Sequence, residues 1–195
     1  MAALTKTLMI GVIAEERNDV DVLYELTSKL IPESSFSFKQ FIGHGCGTLR
    51  RKCCAWADNL RQRGCLFLVV IHDLDKRDES ELRTSLEREI EGRGFQQTVV
   101  LIPIEEIEAW LLCDPNAIRT VFRMQKLPTV PSQPEQVSNP KEFLSELVSK
   151  NSKSHYLNTV HNQKIAAELA LDLLRGRCPS FLRYPKFLSK ARKKR

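Results

Sequence analysis

Several things are missing from this chain of 195 residues, and each absence excludes a class of function. No apolar run approaches the length needed to cross a bilayer, so a membrane-spanning role is not expected. No glycine-rich loop of the P-loop kind occurs, so any ATPase activity belongs to a partner. The six cysteines (46, 53, 54, 65, 113 and 178) form no CxxC pair and no Cys/His spacing typical of zinc. They read as reduced thiols of a cytoplasmic protein. Cys65 opens an apolar run and Cys113 ends one, as small hydrophobes do. The N-terminal "TLMIGVIA" is short for a signal peptide and leads into "EERNDVD" instead of a small-residue cleavage site. No internal repeat is visible.

What is present is ordinary in bulk and specific in detail. An apolar fraction of 42% and a charged fraction of 28% suit a soluble globular protein with one real core. The formal net charge of +6 suits a polyanionic partner. Much of that surplus sits in "KFLSKARKKR" at residues 186–195, which is either a solvated end or a contact for nucleic acid.

Apolar patterning predicts the order β-α-β-α-β-α-β. Strands are expected at "TLMIGVIA" (7–14), "SFSFKQFIG" (35–43), "CLFLVVI" (65–71) and "TVVLIPI" (98–104). Helices carry Val22, Leu23, Leu26 and Leu30, then Leu49, Cys53, Trp56 and Leu60, then Leu82, Leu86 and Ile90. The expected fold is α/β, a mostly parallel four-stranded sheet flanked by helices. Residues 1–115 form this core. Residues 116–195 form a helical extension of the same domain, with a proline-rich stretch at 126–140, a loop or flexible excursion, and a basic tail. Two further helices are expected, around Phe143, Leu147 and Val148 and along Ile165, Leu169 and Leu173.

Three strand ends carry acids. The first ends at Glu15, followed by Glu16 and Asp19; the third ends at "HDLD", with Asp73 and Asp75; the fourth runs into Glu105, Glu106 and Glu108. In a parallel sheet these ends share one rim, where ligands bind in open α/β folds. Crowded carboxylates repel, and a divalent cation relieves that repulsion. An oxygen-only set favours Mg²⁺ or Mn²⁺. Glu105 and Glu108, three apart, are expected on one helix face with Glu106 turned aside. Each cluster alone is also what any surfacing strand end looks like.

These residues carry a family likeness as well. "IAEERNDVDVL" resembles the first Toprim motif, a strand ending in Glu, and "VIHDLD" resembles the second, a strand ending in Asp-x-Asp. "EIEAWLL" and "CPSF" narrow the likeness to a bacterial Toprim-like family known as domain-of-unknown-function family 4276, related to OLD-type nucleases. The resemblance implies a compact Toprim-like, Rossmann-like fold and Mg²⁺-dependent phosphodiester chemistry, with Glu15 as acid/base or ligand and Asp73 and Asp75 as ligands. It also implies an AAA or ABC-type ATPase partner in antiphage defence. The chain departs from the motif in having Glu16 where Gly is usual and Asn18 where Thr is usual.

The resulting expectation is a nuclease acting on DNA or RNA. Glu15, Asp73, Asp75, Glu105 and Glu108 hold metal, with Glu16, Asp19, Asp78 and His72 as further candidates. Lys76, Arg77, Arg50 and Arg51 are placed to hold substrate phosphates. His44, in a glycine-rich turn, is a weaker candidate than His72. A topoisomerase needs a nucleophilic tyrosine, and Tyr24, Tyr156 and Tyr184 have no setting for one. Asp-x-Asp also serves phosphatases, but that chemistry usually uses the first strand and here the pair ends the third. The alternative from another class is a non-catalytic subunit that docks an ATPase or nucleic acid. The oligomeric state is open.

Overall fold

The computed structural model describes residues 7–43 and 46–194; His44 lies outside them. Four strands, β1 (Leu8–Ala14), β2 (Phe36–Ile42), β3 (Phe67–Ile71) and β4 (Gln97–Leu101), form one sheet in the order β2-β1-β3-β4. Every pairing is parallel, with Val12 opposite both Gln40 and Val69. The central strands β1 and β3 are apolar throughout because both of their faces are covered. β2 lies on an edge, and all seven of its residues are half-buried.

Helices cover the two faces unequally. On one face α2 (Cys46–Gln62) and α3 (Glu79–Ile90) bury Leu49, Leu60, Leu82 and Leu86 against Ile13, Leu68 and Val70. Gly11 in β1 is required by this contact. A Cβ there would stand 3.1 Å from Leu60 Cδ1 and 3.3 Å from Leu68 Cδ1. On the other face α1 (Arg17–Leu30) shares one apolar cluster with nearly everything after residue 107. That part comprises α4 (Glu108–Leu111), α5 (Pro115–Phe122), α6 (Pro140–Asn151), α7 (Asn158–Glu168), α8 (Leu171–Arg177) and α9 (Arg183–Lys193).

The C-terminal part is therefore one wall of the core. Fully buried Tyr184 shares a hydrogen bond of 2.5 Å with Thr27 of α1. Lys29 donates to the Leu169 carbonyl at 2.6 Å. Trp110, also fully buried, donates its indole N–H to Ser180 Oγ at 2.8 Å and meets Phe181 edge-on at 5.3 Å. "EIEAWLL" and "CPSF", far apart in the chain, are thus two halves of one packing contact.

Three local expectations are settled or corrected. Of the two readings of the proline-rich stretch 126–140, the loop is the one found, and it is docked on the body. Pro128, Pro134 and Pro140 are buried, and Glu135 accepts from the Ser180 amide at 3.2 Å. The Ile165–Leu169–Leu173 stripe is split between α7 and α8, because Asp114 Oδ2 takes the Ala170 amide at 2.9 Å. The fourth strand stops at Leu101, and Ile102–Ile104 continue as loop.

Candidate functional site

The strand order sets the position of the site. From β1 the chain moves outward to β2, then crosses back to β3 and on to β4, so the connections diverge between β1 and β3. In an open parallel sheet the crevice at that divergence, outside the C-terminal strand ends, is the ligand position. Glu15 follows β1 there, and His72 and Asp73 follow β3.

Glu15 is held firmly. Its Oε1 accepts the Asp73 amide at 3.1 Å and lies 2.7 Å from His72 Nδ1. His72 is buried, and its Nε2 lies 3.3 Å from an Arg77 guanidinium nitrogen. A guanidinium only donates, so Nε2 accepts and Nδ1 carries the proton; the Asp73 carbonyl accepts it at 2.6 Å, with Glu15 Oε1 alongside. His72 thus links Glu15 to Arg77. Arg77, the second basic residue after the Asp-x-Asp, is half-buried, with Asp75 also 3.8 Å away.

Asp73 is the most crowded acid. Burial is the main cause that holds its carboxyl well above the ordinary range, and Asp19, Glu108, Glu15 and Asp75 each push it further. Asp19, on the first turn of α1, is buried and raised to about 7. Its burial dominates; the Glu16 amide, donated to Asp19 Oδ2 at 2.9 Å, opposes the shift, and Glu108, Glu16 and Glu15 add to it. Asp75 is also raised, by burial and then Glu15, with Arg77 and His72 opposing. It sits at φ 49°, with Lys76 at φ 61°, in a tight turn fixed by the Asp75 amide on the Glu105 carbonyl at 3.3 Å.

The fourth strand end is arranged differently from the expected helix face. Glu105 lies in a turn at φ 59°, and α4 begins only at Glu108, so the two do not share a helix face. Glu105 contributes its carbonyl to the Asp75 turn. Glu106 is turned aside, accepting the Lys141 amide at 2.9 Å. Glu108 is buried, and its Oε1 accepts from Tyr156 at 2.9 Å and Asn162 at 3.0 Å. Neither partner was singled out as a site residue by sequence. The available signal was Asn162 itself, an amide among the buried residues of α7, the others being Ile165 and Ala166.

The remaining residues are accounted for locally. Glu16 has extended backbone (φ −128°), so this position does not need glycine, and its exposed side chain reaches Asn158 at 3.4 Å. Arg50 and Arg51 are exposed on α2, in a shallow groove beside Ser85 and Glu89 of α3. Asp78 caps α3, accepting the Glu81 amide at 2.9 Å. Asp78→Ala is expected to lower stability by about 1 kcal/mol with no change in divalent-ion affinity. Thermal melts with and without Mg²⁺ check this, and a shift in ion affinity would return Asp78 to the site.

Two observations bear on a cation. Among the described residues, no three carboxylate, imidazole or thiol groups already stand in ligand geometry about one point. Asn18 Oδ1, on the first turn of α1 beside Asp19, is buried without a hydrogen-bond partner. A buried oxygen without a partner calls for a donor or a cation, and Gln97 Oε1, at the start of β4 and away from the rim, is in the same state. The donor set fits a hard cation in chemistry, with side chains that must draw inward to bind it. A family model described as "Domain of unknown function (DUF4276)" matches residues 25–188, beginning after Glu15 and Asp19. No curated protein and no solved structure matches the chain.

Proposed function

We propose, from the premise that the chain belongs to this family, DUF4276, that it is a Mg²⁺- or Mn²⁺-dependent phosphodiester hydrolase acting on nucleic acid. The observation that carries the reading is the crowding of Asp73 by Asp19, Glu108, Glu15 and Asp75 at the divergence of β1 and β3. The sequence resemblance to Toprim nucleases points the same way. Glu15, Asp73 and Asp75 are the residues to hold the ion, with Asp19 and Glu108 beside them. A bound divalent ion supplies charge neutralisation at the phosphate and a more acidic water. The chain's own contribution is orientation. His72 and the Asp73 amide fix Glu15, the Glu105 carbonyl fixes the Asp75 turn, and Tyr156 with Asn162 fixes Glu108. The exposed Lys76 stands at the tip of the same turn, where a phosphate would approach.

The test is cleavage of single- and double-stranded DNA and RNA with Mg²⁺, with Mn²⁺ and with chelator. Cleavage that needs the divalent ion and is lost in Glu15→Gln supports the reading. Cleavage unaffected by chelator or by that substitution removes it. In a cytoplasmic antiphage setting the ATPase would act in trans, and co-purification with a neighbouring ATPase tests that part separately.

A second reading is favoured by the absence, among the described residues, of a preformed ligand cluster. In it the chain is a non-catalytic subunit whose acidic rim docks an ATPase or nucleic acid. It predicts partner binding that needs the rim and no hydrolysis under any metal condition. Among the described residues, no helix is long and apolar enough to cross a membrane.

A further inference from the structure

Away from the acidic rim, a surface groove of about 660 Å³ lies between the ends of α5 and α6. Its lining includes Arg123, Lys126, Lys150 and Lys153 together with Ser152 and Ser154, and no carboxylate. Part of this has a local cause. Arg123 caps the C-terminus of α5 and Lys150 lies in the last turn of α6, where helix dipoles favour cations. Lys150 also pairs with Glu146 at 2.9 Å. Neither cause applies to Lys126 and Lys153, which are exposed, lie outside the helices and have no ion-pair partner among the described residues.

The groove is joined to the rim by a short piece of chain. From Ser154 the backbone runs through buried Tyr156, which holds Glu108, to Asn158, which reaches Glu16. Four residues span at most about 14 Å when extended. That is the length of about four stacked nucleotides at 3.4 Å each. Phe122, which lines the groove, is packed against His161 at 4.7 Å, and His161 faces Tyr156 at 6.2 Å, so the two places are also linked through the interior. The connecting segment carries exposed His155 and Leu157.

We propose that this groove is a phosphate-binding site for the nucleic-acid strand that the acidic rim engages, holding backbone phosphates a few nucleotides from the reacting one. The ligand chemistry is the phosphodiester anion, met by Lys126, Lys153 and Arg123 with the two serine hydroxyls. The proposal names the substrate grip of the reading given above and rests on it for the role, but not for the binding.

The experiment measures binding of a 12-nucleotide single strand by fluorescence anisotropy, without divalent ion, so that no hydrolysis is required. Lys126→Ala/Lys153→Ala is expected to weaken binding at least tenfold near 0.1 M salt. It is also expected to reduce the slope of log affinity against log salt by about 1.5, since each lost phosphate contact removes about 0.7–0.9. Arg63→Ala/Arg88→Ala removes the same charge from exposed positions after α2 and on α3 and is the control, expected to change neither quantity by more than about a third of that. Equal losses in the two variants, or an unchanged affinity and slope in the first, overturn the proposal. Inorganic tripolyphosphate serves as the competitor, and saturating binding that leaves the oligonucleotide in place also overturns it. If the groove variant loses binding while no metal condition gives cleavage, the groove stands and the hydrolase reading falls. Cleavage with a groove variant that binds normally is the reverse result.

Discussion

Asp73→Asn is expected to remove divalent-dependent cleavage by about a thousandfold, roughly 4 kcal/mol of transition-state stabilisation, while raising the stability of the metal-free protein. Both effects come from the same crowding. In the folded chain Asp73 faces burial and then Asp19, Glu108, Glu15 and Asp75, so its charged form is opposed; unfolding relieves that. The sign in pH follows. A carboxyl raised by folding binds its proton more tightly in the folded state, so its contribution is present below about pH 4 and is lost as pH climbs through the folded value. For Asp19 that value is about 7 against an ordinary 3.8, a difference on the order of 4 kcal/mol across the window.

Melts in chelator at pH 5.5 and pH 8 make the comparison. The wild-type chain should lose several degrees at pH 8, Asp73→Asn should lose fewer, and Mg²⁺ should restore the wild type alone. At this chain length about 1 kcal/mol moves the midpoint by roughly 2–4 °C. A wild type indifferent to pH, with Asp73→Asn less stable at both values, would mean that the carboxylates do not repel one another and that the site reading is mistaken.

Tyr156→Phe is expected to raise the Mg²⁺ concentration needed for half-maximal activity by about 10- to 100-fold, through Glu108 and not through the substrate. Its hydroxyl proton is shared between Glu108 Oε1 and Asn162 Oδ1, and Asn162 in turn donates to the same Glu108 oxygen. Removing the hydroxyl leaves Glu108 held by one donor in a buried setting, at a stability loss of about 1–3 kcal/mol. The structural loss alone does not decide the role. The Mg²⁺ concentration giving half-maximal cleavage does, because a residue that merely joins α4 to α7 would lower the melting midpoint and leave the Mg²⁺ midpoint in place. Glu108→Gln separates the two functions, since it keeps an accepting oxygen for Tyr156 and Asn162 and gives up the charge.

The sequence alone determined the sheet and its acidic edge. Leu8–Ala14 and Phe67–Ile71 are continuous apolar runs, and such runs belong to central parallel strands covered on both faces. The acids at their ends follow from the chain surfacing on the same side of a parallel sheet, so Glu15 and Asp73 were legible as neighbours. Only the tertiary structure decided what each acid does next. Glu105 and Glu108 had helical spacing, but a left-handed turn at Glu105 separates them, and local spacing does not report where a helix starts. Sequence shows the charge of Arg77 and not its direction; the fold sets that half-buried side chain against His72 and Asp75 at the rim. Tyr156 and Asn162 come from beyond the proline-rich stretch, and they reach Glu108 because α7 packs on α1, α4 and α5. Patterns along the chain encode which faces are buried, and partners brought together across long stretches of sequence leave no pattern of their own. The placement of the acids was therefore written locally, and their orientation was set by the fold.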